Sequence, residues 1–282
     1  MKKPTDSKTH FAIPLAQAIQ AWLPNAPGKD FILRVLCRVG LPQQGLYLTR
    51  IGKLWTELDY SDRMDRRSAL GLLGRDIAEG SIAHLDPGDC FCDCGAHIGI
   101  VSLWVASYLG EGGLVYAFEP SPPTFQRLQR NFALSQGSPC KLEAYPYALG
   151  EQSGTAEMCV SSQHGWSTLS RSALTASQTL GAKLTQVASV PVCTLDDFFL
   201  GTPGRRLPQA IKIDVEGWEE NVLRGATRLL AQAPPRIILI EKNDDILQAM
   251  GCRFDPIDRI LRNAGYRLAQ ELTNLDLLYQ HD

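Results

Sequence analysis

A glycine-containing turn near residue 95 is the part of the sequence best suited to binding a small ligand. It reads Asp93-Cys94-Gly95-Ala96-His97-Ile98-Gly99 and lies between an apolar run and a helical pattern. Glycine lets the backbone approach a ligand closely, and the free N–H groups at the start of a helix favour an anion. The spacing G-x-x-x-G lacks the three glycines of the dinucleotide fingerprint, which argues against a nicotinamide-dependent oxidoreductase. The acid before the first glycine instead favours a ligand with an ammonium or hydroxyl group.

A second acid, Glu119, follows the next apolar run, twenty residues after Gly99. A carboxylate at the carboxyl end of a strand can accept hydrogen bonds from both hydroxyls of a ribose, and open α/β sheets bind ligands at that edge. A solvated acid at a strand end is the alternative interpretation. S-adenosylmethionine has both an amino-acid end and a ribose, so the two signals together favour this ligand.

Polar residues at the ends of two later apolar runs are the candidates for chemistry. Asp214 could orient or deprotonate a hydroxyl, and Glu216 could hold an acceptor or act as an acid near the start of a helix. Lys212 alternates with core positions, so its ammonium group reaches either Asp214 or solvent. Glu241 and Asn243 end the next strand. With Asp214 they could hold Mg²⁺, but strand-end carboxylates also bind loops or substrates, so we assign no metal.

Three alternating cysteines indicate buried thiols rather than a zinc site. Cys90, Cys92 and Cys94 would face one side of a strand, about 6.6 Å apart. A tetrahedral zinc site prefers two or more intervening residues and a turn. The chain has eight cysteines, and we expect them to be reduced thiols in a cytoplasmic protein.

Short apolar runs alternate with helical patterns from residue 90 onward, which predicts a doubly wound α/β fold. We expect a Rossmann-like, mainly parallel seven-stranded sheet with helices on both faces and an N-terminal helical extension. The predicted strands are 90–93, 114–118, 141–147, 187–193, 210–214, 236–241, 266–271 and 276–279, and the predicted helices are 98–109, 124–134, 216–230 and 256–263.

The predicted domains are an N-terminal arm and helical cap over residues 1–84 and a ligand-binding domain over 85–282. Within the first, residues 1–30 form a Pro-rich arm and residues 31–79 are mostly helical. A helix over 63–77 begins after Asp62 and ends at Gly80.

A long polar segment, residues 161–189, interrupts the second domain and is expected to form a lid. His164, Trp166 and Ser167 are its candidate contacts with an acceptor molecule. Trp166 could equally anchor the segment to the body of the domain.

The composition excludes several classes of protein. The 282 residues carry 28 Lys and Arg against 30 Asp and Glu, a net charge of −2, which argues against a broadly basic protein that coats nucleic acid. No stretch approaches the ~18 apolar residues of a transmembrane helix. Pro14, Gln17 and Pro24 interrupt the apolar core that a secretory signal needs.

The sequence resembles the FkbM-type S-adenosylmethionine-dependent methyltransferases over about residues 85–270. The resemblance depends on five blocks that occur in order. They are Asp93-Cys94-Gly95-Ala96-His97-Ile98-Gly99; Ala117-Phe118-Glu119-Pro120 with Asn131; Val190-Pro191-Val192 with Thr194-Leu195-Asp196; Ile211-Lys212-Ile213-Asp214-Val215-Glu216-Gly217; and Ile240-Glu241.

By position, the resemblance implies a cofactor site made of eight residues. They are Asp93, Gly95, Ala96, His97, Gly99, Glu119, Pro120 and Ala148. Asp93, Gly95 and Gly99 would shape the methionine pocket, Glu119 would bind the ribose, and Ala148 would lie by the adenine. His97 is a departure, because the family more often has Asn there. A structural role in the turn is the favoured interpretation of His97, and a proton shuttle is the alternative.

The implied activity is methyl transfer from S-adenosylmethionine, with Asp214 and Glu216 near the transferred methyl group. We expect O-methylation of a hydroxyl on a small natural product, saccharide or lipid, with Lys212 and Glu241 among the acceptor contacts. Carboxyl- or N-methylation with the same cofactor site is one alternative, and an inactive S-adenosylmethionine-binding module is another. The expected partner is a small-molecule acceptor and not a nucleic acid, and a homodimer stays open.

Overall fold

The computed structural model describes residues 15–16, 18–19, 31–32, 35, 38, 40–161, 169, 184–249 and 251–282. Its strands are β1 (Leu46–Ile51), β2 (Leu54–Asp59), β3 (Cys90–Cys94), β4 (Leu114–Phe118), β5 (Lys141–Tyr145), β6 (Ala148–Leu149), β7 (Gly154–Ser161), β8 (Leu184–Cys193), β9 (Ala210–Ile213), β10 (Ile237–Glu241), β11 (Tyr266–Glu271) and β12 (Asp276–His281). Its helices are α1 (Arg63–Ala69), α2 (Arg75–Ile82), α3 (Ile100–Leu109), α4 (Pro122–Leu134), α5 (Leu195–Leu200), α6 (Glu219–Arg224), α7 (Thr227–Gln232), α8 (Asp244–Ala249) and α9 (Asp255–Asn263).

Seven strands form the central sheet, in the order β11-β12-β10-β9-β3-β4-β5. The five strands from β10 to β5 are parallel, and β12 runs antiparallel to both β10 and β11. The chain moves outward from β3 through β4 to β5 and then returns to β9, on the other side of β3. Strand order therefore reverses between β3 and β9, where open α/β sheets have their ligand crevice.

Helices cover both faces of this sheet, which confirms the predicted Rossmann-like α/β fold. One face packs against α3, α4 and the N-terminal elements, and the other packs against α5, α6, α7 and α9. Cys90, Cys92 and Cys94 lie together on the second face and are fully buried. Burial raises the pKa of the Cys90 thiol to about 12, so it is protonated at neutral pH.

The prediction of a mostly helical segment over residues 31–79 is wrong in its central part, where β1 and β2 form an antiparallel hairpin. A two-residue turn at 52–53 joins the strands. Leu54, Thr56 and Leu58 are buried, while the residues between them are more exposed. This period of two is the pattern of a half-buried strand, and it outweighs the helical propensity of the surrounding sequence.

The predicted helix over 63–77 is two helices, α1 and α2. It begins as expected, because the Asp62 side chain accepts hydrogen bonds from the N–H groups of Met64 and Asp65. Gly74 has a left-handed backbone (φ 75°) that ends the connection between the helices and precedes α2. Gly80 is not the predicted stop, since α2 continues through it to Ile82. Both helices share one hydrophobic core with α3.

Two further predictions are corrected. The strand predicted at 187–193 is part of β8, which belongs to a separate three-stranded sheet of order β6-β8-β7. Its pairing with β7 places residues 184–189, the end of the predicted lid, in that sheet. The helix predicted at 216–230 is divided into α6 and α7, and Glu216 precedes α6 with a left-handed backbone (φ 56°). Among the described residues, no helix has the length and apolar character needed to cross a bilayer.

Candidate functional site

A cavity of about 420 Å³ opens at the carboxyl edge of the parallel strands, beside the point where strand order reverses. Its size lies within the range of small-molecule sites. Ten of the residues predicted from the sequence line it. They are Gly95, Ala96, His97, Glu119, Pro120, Ala148, Lys212, Asp214, Glu216 and Glu241.

The turn at Gly95 packs directly against the loop that follows β9. Gly95 has a left-handed backbone (φ 80°), and a Cβ there would lie only 1.8 Å from the carbonyl oxygen of Asp214. The N–H of Asp214 in turn donates to the Cys94 carbonyl at 3.1 Å. No side chain fits between the two loops, so the backbone of the turn itself faces the cavity.

Asp93 does not line the cavity, and it has no exposed surface. Its carboxylate lies 3.1 Å from Lys212 Nζ on β9 and accepts a 2.6 Å hydrogen bond from the Ser102 hydroxyl. Lys212 also donates to the Gly95 carbonyl at 2.9 Å and lies 3.3 Å from Asp214 Oδ2. Burial alone would lower the pKa of Lys212, but the carboxylates of Asp214 and Asp93 hold it above its usual value. The pair joins β3 to β9 beneath the site.

Gly99 also lies outside the cavity lining. It precedes α3 and packs close to the side chains of Leu128 and Phe132 on α4. Its place in the site is therefore structural, since it lets α3 begin against α4.

Glu119 presents a buried carboxylate at the end of β4. One oxygen accepts the N–H of His97 at 3.0 Å and the other accepts the N–H of Ser121 at 2.8 Å. Burial raises the pKa of Glu119 to about 7, although these two N–H groups partly oppose the shift. The left-handed backbone of His97 (φ 52°) aims its N–H group at this carboxylate. Each carboxylate oxygen has further acceptor capacity toward hydroxyl donors in the cavity.

A backbone loop held by Glu219 carries Asp214 and Glu216 into the cavity. One carboxylate oxygen of Glu219 accepts the N–H groups of Val215 and Gly217, at 3.1 and 3.0 Å. Glu219 is buried, and burial raises its pKa to about 7. Sequence reasoning assigned no role to Glu219, although an acid in the first turn of a predicted helix is a recognisable signal.

Part of the cavity lining is acidic. Glu241 and Asp276 are register partners on β10 and β12, and both line the cavity with Glu216. Burial, together with the nearby charge of Asp214, raises the pKa of Glu216 and of Glu241 well above the usual range. Burial likewise raises the pKa of Asp276. Carboxyl groups in this state can hold a proton near neutral pH.

Within the part of the chain that the structure describes, no three Asp, Glu, His or Cys side chains form a cluster that could hold a metal ion. The Mg²⁺ ligand set of Asp214, Glu241 and Asn243 therefore has no support from the geometry, although all three residues line the cavity.

The N-terminal elements form a wall of the cavity, and sequence reasoning, which expected a cap here, named none of the residues in it. Its residues come from α1, α2 and their connection, and they are Met64, Asp65, Ser68, Leu73, Gly74 and Ile77. Asp65 and Ser68 lie three apart on one helical face, which is the only hint in the sequence. The other lining residues that were not predicted include Tyr147, Met158, Trp218 and Asp276. His164, Trp166 and Ser167 lie outside the described residues.

Comparison with known proteins identifies a family signature. A family model described as "Methyltransferase FkbM domain" matches residues 93–268. The matched segment begins at the acid before the glycine turn and reaches β11, so it includes the loops after β3, β4, β9 and β10.

Individual relatives share limited sequence identity with the chain. "Methyltransferase 1" of Beauveria bassiana (strain ARSEF 2860) is 33% identical over 150 residues, which cover 49% of this chain and 59% of that protein. "Hexuronic acid methyltransferase AglP" of Haloferax volcanii is 25% identical over 207 residues, 72% of each chain. The crystal structure of methyltransferase FkbM from Methylobacillus flagellatus KT aligns over 99% of this chain and 63% of its own, with 14% identity and a TM-score of 0.38.

Proposed function

The chain belongs to the FkbM methyltransferase family, and from that premise we propose that it transfers a methyl group from S-adenosylmethionine to a hydroxyl group of a small natural product, saccharide or lipid. The observation that carries this proposal is the cavity at the reversal of strand order. The backbone turn at Gly95 lines it, and Glu119, a carboxylate for a ribose, lines it beside the turn and accepts the N–H of His97.

Both the chemical types and the positions of the lining residues suit S-adenosylmethionine. Glu119 would accept hydrogen bonds from the ribose hydroxyls, and Ala148 would contact the adenine from β6. Gly95, Ala96, His97 and Pro120 would surround the rest of the molecule. Asp93 would act indirectly, by fixing Lys212 and the turn. When bound, the cofactor supplies a methyl group on a positively charged sulfur.

The chain's own contribution to the reaction would be alignment and proton removal. Asp214, fixed by Lys212, would hold the acceptor hydroxyl in line with the methyl group. Glu216 would take the proton that the hydroxyl loses as its oxygen forms the new bond to carbon. Its raised pKa makes it a stronger base, once ionised, than an ordinary carboxylate. Glu241 would add a second oxygen to the acceptor side of the cavity.

A hydroxyl acceptor suits the acidic part of the lining better than a carboxylate acceptor. A bound carboxylate would place a further negative charge beside Glu216, Glu241 and Asp276, which burial already makes hard to ionise. The Haloferax volcanii relative is named for a hexuronic acid, so saccharides with and without a carboxyl group belong among the acceptors to be tested. His164, Trp166 and Ser167 are proposed to contact the acceptor as well.

Cofactor binding is the first test of this function. We expect S-adenosylmethionine and S-adenosylhomocysteine to bind the purified protein in titration calorimetry, and Glu119→Gln to weaken both at least tenfold. Glu111→Gln makes the same change on an exposed residue outside the cavity and should bind like the wild type. Absence of binding to the wild type would remove the basis of the proposal.

The acceptor is tested with methyl-labelled S-adenosylmethionine. Neutral saccharides, uronic acids, hydroxylated lipids and amines are incubated with the enzyme, and label in the product is followed by mass spectrometry. An ether product that resists mild base is expected. A base-labile product would indicate a methyl ester, and label on nitrogen would indicate N-methylation. Either result would replace O-methylation with the corresponding alternative.

A further inference from the structure

Asp65, on α1, has a carboxylate oxygen in the cavity wall for which the described residues provide no donor. The residue is 1% exposed and lines the cavity. Its Oδ2 accepts the N–H of Asp59 at 2.7 Å and a hydrogen bond from the guanidinium of Arg127 on α4. Its Oδ1 is buried and has no hydrogen-bond partner among the described residues. Leaving a buried acceptor without a donor is costly, so a ligand donor is the natural partner for Oδ1.

The wall that carries Asp65 lies against the turn side of the cavity. A Cβ at Gly74 would meet the side chains of Ile100 and Val101 at 3.0 and 3.3 Å, which places the start of α2 on the first turn of α3. Ile100 and Val101 line the same cavity and directly follow the turn at Gly95. The wall to which Asp65 belongs therefore meets α3 just after the turn, where the family resemblance places the methionine pocket.

Asp93, the acid of the glycine-turn motif, already has hydrogen-bond and charge partners within the protein. Asp93 is used by Lys212 and Ser102 and has no surface in the cavity. Arg127 neutralises Asp65, so the pair can accept a group with no net charge. The methionine end of S-adenosylmethionine is such a group, because it carries one ammonium and one carboxylate.

We propose that Asp65 of the N-terminal segment binds the ammonium group of the cofactor's methionine moiety, a contact that the motif would have assigned to Asp93. This inference rests on the proposed cofactor. It makes the N-terminal segment part of the cofactor site.

Two ligands that differ at the methionine end test the contact. S-adenosylhomocysteine carries the ammonium group, whereas 5′-deoxy-5′-methylthioadenosine keeps the nucleoside and lacks the amino-acid end. We expect Asp65→Asn to weaken S-adenosylhomocysteine at least tenfold and methylthioadenosine less than twofold. Asp62→Asn is the matched control. It removes the same charge three residues away and outside the cavity, and Asn still caps the helix.

The outcomes separate this inference from the proposed function. If Asp65→Asn weakens both ligands equally, or neither, Asp65 does not bind the ammonium group and the inference is overturned while the function stands. If the wild type binds neither ligand, the proposed function itself fails and the inference with it. Should Asp65→Asn melt early because Arg127 loses its partner, the double variant Asp65→Asn/Arg127→Met removes that unpaired charge, and the same comparison of ligands decides.

Discussion

Asp93 and Lys212 face each other on the neighbouring strands β3 and β9, and neither is more than 4% exposed. Taking two charges out of water is expensive, so such a pair persists only when further hydrogen bonds satisfy it. Ser102 supplies one to Asp93, and the carbonyl of Gly95 accepts one from Lys212. Because Lys212 also reaches Asp214, a single ammonium group ties together the two loops that form the crevice.

Replacing Lys212 tests this arrangement. Lys212→Met leaves Asp93 as an unpaired buried charge, and we expect the free energy of unfolding to fall by about 3–5 kcal/mol. Cofactor binding should weaken as well, because the carbonyl of Gly95 loses its donor. Urea unfolding at pH 7.5 and calorimetric titration measure the two effects.

Lys53→Met is the matched control, because Lys53 is exposed and is not part of the cavity lining. It should change the unfolding free energy by less than about 0.5 kcal/mol. The double variant Asp93→Leu/Lys212→Met removes both charges and should recover part of the loss. A single Lys212→Met variant as stable as the wild type would contradict the structural role given to the pair.

At this scale the sequence predicts positions better than contacts. Residue type and spacing located Gly95, Glu119 and Asp214 at the cavity. The same reasoning could not tell that Asp93 points at Lys212 instead of a ligand, because that depends on the register of β3 against β9. Asp65 was out of reach for the same kind of reason, since its contacts depend on how α1 packs against β2 and α4.

The two loops after β3 and β9 form the site as a unit. The loop after β3 requires a glycine, and the loop after β9 is stabilised by hydrogen bonds to a buried carboxylate. Gly95 lets its backbone approach the carbonyl of Asp214, and Glu219 holds the N–H groups of Val215 and Gly217. Neither loop contains a regular helix or strand, so their shape depends on these specific contacts.

Gly95→Ala should separate the two loops. The new Cβ would overlap the Asp214 carbonyl, which is backbone and cannot rotate away. We expect cofactor affinity to fall at least tenfold and the melting temperature to fall by several degrees. Gly204→Ala is the control, because Gly204 has a similar φ of 78° but no atom of the described residues would lie within 4 Å of its Cβ. It should cost only the left-handed strain, roughly 1–2 kcal/mol, and leave affinity unchanged. Equal affinities in the two variants would show that the close approach is unimportant.

Elements were predictable where one local signal dominated. The buried run of β4, the strand β11 after Gly265, and the helix α4, with Pro near its start, fall close to their predicted bounds. The β1–β2 hairpin was missed because only one face of its strands is buried, which leaves a weak hydrophobic pattern. The strands also lie among helix-favouring residues. The division between α6 and α7 falls at Gly225, where a Cβ would lie 2.0 Å from the carbonyl oxygen of Gly150, and a helical pattern through 216–230 does not reveal such a distant contact.

Across the whole molecule, several buried carboxyl side chains lie around one cavity, although the net charge is only −2. Glu119 and Glu219, with pKa values of about 7, add to the raised carboxyl groups of Glu216 and Glu241. Burial is the main cause in every case, so folding itself makes these groups harder to ionise. Stability without a ligand is therefore linked to pH through the site.

The direction of that linkage can be predicted. In the unfolded chain Glu119 and Glu219 titrate near 4.5, and in the folded protein near 7, so between these values the folded state binds more protons. The free energy of unfolding should therefore be larger at pH 5 and decrease as the pH rises to 8, by on the order of 1–3 kcal/mol. Urea unfolding at pH 5, 6, 7 and 8 measures this slope.

Glu119→Gln removes one titrating group and should make the slope shallower, whereas Glu111→Gln, on an exposed acid, should leave the slope unchanged. Surface acids with lowered pKa values, such as Asp258, act below pH 4 and do not enter this window. A stability that rises from pH 5 to pH 8 would mean that the buried acids are ionised at little cost, which would also remove the reason for giving Glu216 the role of base.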